Sequence, residues 1–345
     1  MSENLIQIKA FLGKYYQELL SSSTQDKYKN TKLDTFFEQR FLIQNNKVQM
    51  IVDPAITGLI VLVSGNEIRV SQAIFDHPGI IIKNSLEHNM ATNPKNLYNP
   101  EVFSTLAYLV CQNHTTFQIV GEIDEPIYVK YTADYETFYN SVIVFNIADG
   151  LEAEIIEEIE SFSALNAVTN YIINPRARLN LSTFYQNNIS GLSFYFRNII
   201  ARENAYFNHI LFGKGSSNVI DENKIYTLGG SKCELFGLVS SDSRDFHSIL
   251  YIEPDTLEYY VSVNYKEILE GNAKVTFFPV LLGNVPDDGS ATINVSNITV
   301  EDIPVDEVED EIEGFTADII GRATLDRMVG STRFYDNKHR FIHLL

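Results

Sequence analysis

The chain has 345 residues, 45% of them hydrophobic and 12% aromatic, enough to bury a large core in one elongated domain with appendages. Its formal net charge of −19, with no concentration of Lys and Arg anywhere, argues against nucleic-acid binding, which needs a phosphate-neutralising surface. No predominantly apolar run reaches the roughly 18 residues that cross a bilayer, and no basic-then-apolar leader opens the sequence, so a cytoplasmic protein without a membrane partner is expected.

The first predicted element is an amphipathic helix over Leu5 to Leu20, where Ile8, Phe11, Leu12, Tyr15, Tyr16 and Leu19 fall at helical spacing. Leu33, Phe36, Phe37 and Phe41 predict a shorter second helix. Gly58 to Val63 reads as a strand, Ser64-Gly65-Asn66 as a turn and Glu67 to Val70 as the returning strand. The text from Pro78 to Tyr108 is mixed, with a helix expected near Glu101 to Val110. From about Thr116 it changes to short β-rich runs, clearest at Ile127–Tyr131, Val142–Phe145, Val168–Ile172, Leu192–Phe196, Ser248–Ile252 and Tyr259–Val263. Beyond Leu282 come further strand-like text near Ala291 to Val300, an acidic stretch from Glu301 to Glu313, and a helix predicted from Phe315 to about Val329. The acidic stretch reads as a solvated linker, or as something that attracts a basic partner or cations.

Inside the β-rich region a small residue returns two positions before a large apolar one, as Ala153, Ala177, Ala205 and Cys233, in steps of 24, 28 and 28, with Ala273 following after a longer step of 40. A repeat of about this length built of short strands predicts a coil whose rungs stack in parallel around one continuous core, in preference to a sandwich.

No catalytic motif is present. Phe212-Gly213-Lys214-Gly215-Ser216-Ser217 lacks the spacer of a phosphate loop and reads as a turn between rungs, and no nucleophile elbow or paired-histidine metal signature occurs. Two cysteines, Cys111 and Cys233, make neither a disulfide framework nor a thiol-rich metal spacing. Cys233 occupies a small-residue slot, so it is either a small core residue or a thiolate that carries sulfur or binds iron. His247 follows Asp242 and Asp245, which would make metal ligands of these groups or merely a polar rung edge. His209 shares its strand face with Phe207 and Leu211 and reads as a core or interface histidine.

Several ordered segments resemble the SufB/SufD family of iron–sulfur cluster assembly proteins, SufD more closely. Asp26-Lys27-Tyr28-Lys29-Asn30-Thr31-Lys32-Leu33 is similar to that family's acidic, x, Trp, basic, aromatic, Thr, x, Leu element, with Tyr28 in place of Trp and Asn30 in place of an aromatic. Val63-Ser64-Gly65 resembles its Val-Asn-Gly turn, and Gly121 to Ile127 its Pro-Ile entry into a β-helix. Asp242 to Pro254 and Tyr265 to Phe277 resemble its Asp/His-rich strand and its Tyr-Lys-Gly-x-Leu-x-x-x-Ala-Arg-x-x-Phe signature. The departures are equally definite. Tyr251 stands where the family has His, Glu267 where it has Gly, and the late Ser-His-Gly element has no counterpart after Phe277.

The resemblance implies a mainly β protein: a right-handed parallel β-helix core over 116–300, an N-terminal α-helical/mixed region over 1–115, and an acidic linker with a short helical C-terminal segment over 301–345. It implies a non-catalytic scaffold subunit of iron–sulfur cluster assembly that pairs with itself as a dimer or with a SufB-like subunit, and through the complex with a SufC-like ATPase. No cofactor would be bound stably, an iron–sulfur cluster being held at most transiently with a partner. Cys233 and His247 are the metal-ligand candidates, and Asp242, Tyr265 and Lys266 would keep the late rungs in register. The alternative is a β-helical structural or binding protein that kept this fold and lost the assembly chemistry.

Overall fold

The computed structural model describes residues 42–299 apart from 44–48, 65–66, 86–101, 112–113, 134–136, 162–163, 186–191, 216–217, 242–244, 255–258, 270–273 and 282–289. The helices predicted near either terminus, the acidic stretch 301–313 and Asp242 lie outside the described residues. Eight elements form the N-terminal end: β1 (Leu42–Ile43), β2 (Gln49–Asp53), β3 (Ile60–Ser64), β4 (Glu67–Ser71), α1 (Gln72–Asp76), β5 (Ile80–Ser85), α2 (Val102–Val110) and β6 (His114–Ile119). The coil continues with β7 (Ile127–Ala133), β8 (Thr137–Ile147), β9 (Glu152–Ser161), β10 (Ala164–Ile173), β11 (Arg178–Tyr185), β12 (Leu192–Ala201) and β13 (Tyr206–Gly215). It closes with β14 (Asn218–Thr227), β15 (Ser231–Ser241), β16 (Asp245–Pro254), β17 (Tyr259–Leu269), β18 (Lys274–Leu281) and β19 (Ser290–Thr299).

From β6 onward the chain changes sheet after every strand. The even-numbered strands stack in the order β18-β16-β14-β12-β10-β8-β6, and the odd-numbered ones in the order β19-β17-β15-β13-β11-β9-β7. All of these neighbours pair in parallel, so the core is the parallel β-solenoid expected from the repeat. The N-terminal end breaks the rule: β5 lies antiparallel on β6, and the predicted hairpin β3–β4 extends the odd sheet. Antiparallel ends stop a stack of rungs from continuing at that edge.

Alternation decides what faces the interior. In β9, Ala153, Ile155, Glu157 and Ile159 share one parity; in β11, Leu179, Leu181, Thr183 and Tyr185 share the matching one. The other parity is not solvated throughout. Val168, Ile210, Phe212 and Phe236 are also buried, as strands of a parallel sheet covered on both faces are. Helix α2 supplies part of that cover on the even sheet. The Phe103 ring stacks on Phe194 at 3.8 Å, Asn166 donates to the Phe103 carbonyl at 2.7 Å, and Tyr108 donates to Asn170 at 2.9 Å. Within the coil Phe117, Phe145 and Tyr171 stack from rung to rung at 5.1 and 5.6 Å.

One corner repeats with fidelity. Gly150, Arg176, Asn204 and Gly230 all have positive φ, at 72°, 62°, 57° and 71°. The N–H of the residue after each, Leu151, Ala177, Ala205 and Ser231, donates to the carbonyl three residues back, closing a β-turn. Gly150, Arg176 and Asn204 also donate to Pro175, Glu203 and Gly229 of the next rung, at 3.0 Å in each case. This corrects the small-residue repeat. Ala177 and Ala205 belong to the corner, whereas Ala153 and Cys233 lie inside strands, in the ladder column Ala153, Leu179, Phe207, Cys233, Val261, Ala291. Two columns two residues apart had merged into one apparent period.

A Cβ on Gly230 would collide with Asn204 Oδ1, at a φ that L residues adopt at a cost of roughly 1–2 kcal/mol. Gly230→Ala is therefore expected to lower stability by about that amount, read as a fall in the urea midpoint at unchanged slope. An unchanged midpoint would show that this corner adapts without strain.

Candidate functional site

The two metal-ligand candidates do not share a sheet. Cys233 lies in β15 of the odd sheet and is fully buried in its interior column between Phe207 and Val261. Burial, with the nearby charge of Glu234 adding to it, pushes the thiol up to about 12, so at neutral pH it is a protonated, inert group. His247 lies in β16 of the even sheet, at the register of Ile220 and Thr276. Asp245 opens the same strand, and Tyr265 and Lys266 pair through β17 with Gly237 and Leu238. Cys111, directly after α2, is a buried thiol that donates to the Asn140 carbonyl at 3.2 Å; burial holds it, too, up at about 12. Among the described residues no group of three or more His, Cys, Asp and Glu could hold a metal ion.

The chemistry that the coil does concentrate is in its interior. Arg197, inward from β12, is fully buried between Glu157 of β9 and Asp221 of β14, themselves fully buried. Its Nε donates to Glu157 Oε2 at 2.9 Å, Nη1 donates to Asp221 Oδ1, and Nη2 donates to Thr183 at 3.0 Å. The guanidinium lies 4.1 Å from the centre of the Tyr195 ring.

The carboxylates are saturated with donors. Glu157 Oε1 accepts from Tyr171 and, at 2.5 Å, from Tyr195, and Oε2 accepts from Thr183 at 2.9 Å as well as from Arg197. Asp221 accepts from Tyr185 at 2.7 Å and from Asn223 at 2.9 Å besides Arg197. Tyr131 and Thr169 extend the chain, at 2.7 Å from each other and 3.0 Å from Thr169 to Tyr195. Burial holds all four phenols protonated by raising their pKa values, and the charge of Glu157 adds to this for Tyr131, Tyr171 and Tyr195. Both carboxylates therefore meet donors on all sides, the condition under which a buried ionic group is tolerated.

His209 joins this cluster, as a buried histidine on the strand face it shares with Phe207. Its Nε2 lies 3.0 Å from Thr183 Oγ1; burial first, and then the charge of Arg197, push its pKa well below the usual range. Sequence reading missed the rest. Glu157 lies in an acid-rich stretch, Glu152 to Glu160, whose composition hides that its parity with Ala153, Ile155 and Ile159 marks it as inward-facing.

Outside the coil a cleft of about 630 Å³ is lined by Glu122, Asp124, Glu125, Glu152 and Glu154 together with Asn180. No helix among the described residues is long and apolar enough to cross a membrane.

Fold and interior together define a parallel β-solenoid with a buried ionic core in which Arg197 is paired with both Glu157 and Asp221. The chain matches no protein-family model and no curated protein.

Proposed function

We propose that this chain is a SufD-like, non-catalytic scaffold subunit of iron–sulfur cluster assembly that contributes surface and shape to a complex, not ligands of its own. What supports this reading is the resemblance of Asp242 to Pro254 and Tyr265 to Phe277, together with the parallel solenoid core; the buried, protonated thiol of Cys233 is why no ligand role is assigned to it. A parallel solenoid suits a scaffold because its rungs present rigid, extended faces to a partner. The partner would be a SufB-like subunit or a second copy of this chain, with a SufC-like ATPase joining through the complex. The cluster is then cargo, assembled on the partner.

The alternative, a solenoid kept for structure or binding alone, draws on the absence of a Ser-His-Gly element after Phe277. One experiment separates the two. The purified chain is mixed anaerobically with a SufB-like protein and its ATPase, and complex formation, iron, sulfide and the visible spectrum are followed. The scaffold reading expects a stable complex whose cluster yield depends on the chain but is unchanged by Cys233→Ala or His247→Ala. Loss of the cluster in either variant would assign a ligand role, and absence of any complex would favour the alternative.

A further inference from the structure

Towards the C-terminal end of the ionic core the interior changes from saturated to unsaturated. Thr183 has one proton and two lone pairs. The proton goes to Glu157, and one lone pair accepts from Arg197 Nη2, so the remaining contact has His209 Nε2–H donating to Thr183 Oγ1. A neutral imidazole with its proton on Nε2 leaves Nδ1 as a bare acceptor, and Nδ1 is buried without a partner.

Asn223 occupies the register of Arg197 one rung on. Its amide nitrogen donates to Asp221, which fixes the orientation of the carboxamide and leaves Oδ1 without a donor. Ser248 follows Asp221 by a further rung, and its hydroxyl is also unpartnered. His209, Asn223 and Ser248 are each 1% exposed, so bulk solvent cannot satisfy them. Gly237 stands in the inward column that Glu157, Thr183 and Leu211 fill in earlier rungs, and it brings no side chain.

We infer that one water molecule is bound inside the solenoid between β13, β14 and β16, donating to His209 Nδ1 and Asn223 Oδ1 and accepting from Ser248. Two acceptors and one hydroxyl match the valence of water, and groups left unpaired at this depth would lose their hydration without compensation. The competitor is a monovalent cation, drawn by two carboxylates set against one guanidinium. A cation accepts no hydrogen bond, however, and would leave the Ser248 proton unpaired.

The test uses the full chain. A high-resolution crystal structure, with a thallium soak to report monovalent cations, is expected to show one water within hydrogen-bonding distance of all three groups and no thallium peak there. In solution, the nitrogen resonances of His209 should report the Nε2–H tautomer with a hydrogen-bonded Nδ1. Water relaxation dispersion should count one long-lived water fewer in Ser248→Ala than in the parent. A dry site, a thallium peak, an unbonded Nδ1 or an unchanged water count would each overturn the assignment. The imidazole measurement is made on the parent, so the inference stays testable should Ser248→Ala fail to fold.

Discussion

Arg197→Met is expected to destabilise the protein by about 3–5 kcal/mol, a large share of the 5–15 kcal/mol that holds a typical domain together. The substitution keeps an apolar stem of similar length and removes the one cation between Glu157 and Asp221, both fully buried. Two carboxylates would then remain in an interior that solvent does not reach, with only hydroxyl and amide donors. Chemical denaturation followed by circular dichroism reads the effect directly. The same measurement on Arg197→Met combined with Glu157→Gln and Asp221→Asn decides the cause. Recovery of most of the loss in the triple variant would show that uncompensated charge, not lost packing, was responsible. A single variant within 1 kcal/mol of the parent would mean that the tyrosine and threonine donors suffice for both carboxylates.

Acid is expected to weaken the fold from about pH 6.5 downward through His209. In the native state its pKa is pushed well below the ordinary 6.5 by burial and then by Arg197, so the folded protein keeps it neutral while the unfolded chain takes up a proton. The unfolded state therefore binds more protons in the window between the two pKa values. Stability falls as pH drops through that window, by at most about 1.4 kcal/mol per pH unit for one group, and is independent of this histidine above it. His209→Gln, whose amide can still donate to Thr183, is expected to remove that slope. Unfolding free energies from pH 7.5 to 5 for both proteins provide the check; parallel curves would show that His209 titrates normally in the fold.

Much of the architecture was legible because strand text carries its own signature. β-Branched and aromatic runs at Ile127–Tyr131, Val142–Phe145, Val168–Ile172 and Leu192–Phe196 all lie within strands, and the helix expected near Glu101 to Val110 forms as α2. Two of the strands outside the clearest runs, β14 and β9, carry buried charges at their centres. β14 reads Asn218-Val-Ile-Asp-Glu-Asn-Lys-Ile-Tyr-Thr227, and its central charges obscure the hydrophobic alternation although Asp221 and Asn223 face inward. β9 was obscured in the same way by Glu157 and Glu158. A buried ionic pair looks like solvated text when one partner is read without the other.

The site was less legible than the fold for a geometric reason. Arg197 meets Glu157 across 40 residues and Asp221 across 24, and the two carboxylates belong to opposite sheets. Alternation assigns a face within one strand but says nothing about which strands of the other sheet lie opposite. Cys233 and His247 illustrate the same point. Only 14 residues separate them, yet the chain changes sheet between β15 and β16.

The sequence by itself determined that this protein is a coil of short strands, since the runs, their turns and a small-residue recurrence in steps of 24 and 28 residues are local properties of the text. Tertiary structure alone decided the register from rung to rung, and with it the corner column of Gly150, Arg176, Asn204 and Gly230 and the ionic core around Arg197. Register is fixed by summed packing across both sheets, and a slip of one residue would turn Arg197 and Glu157 to the other face.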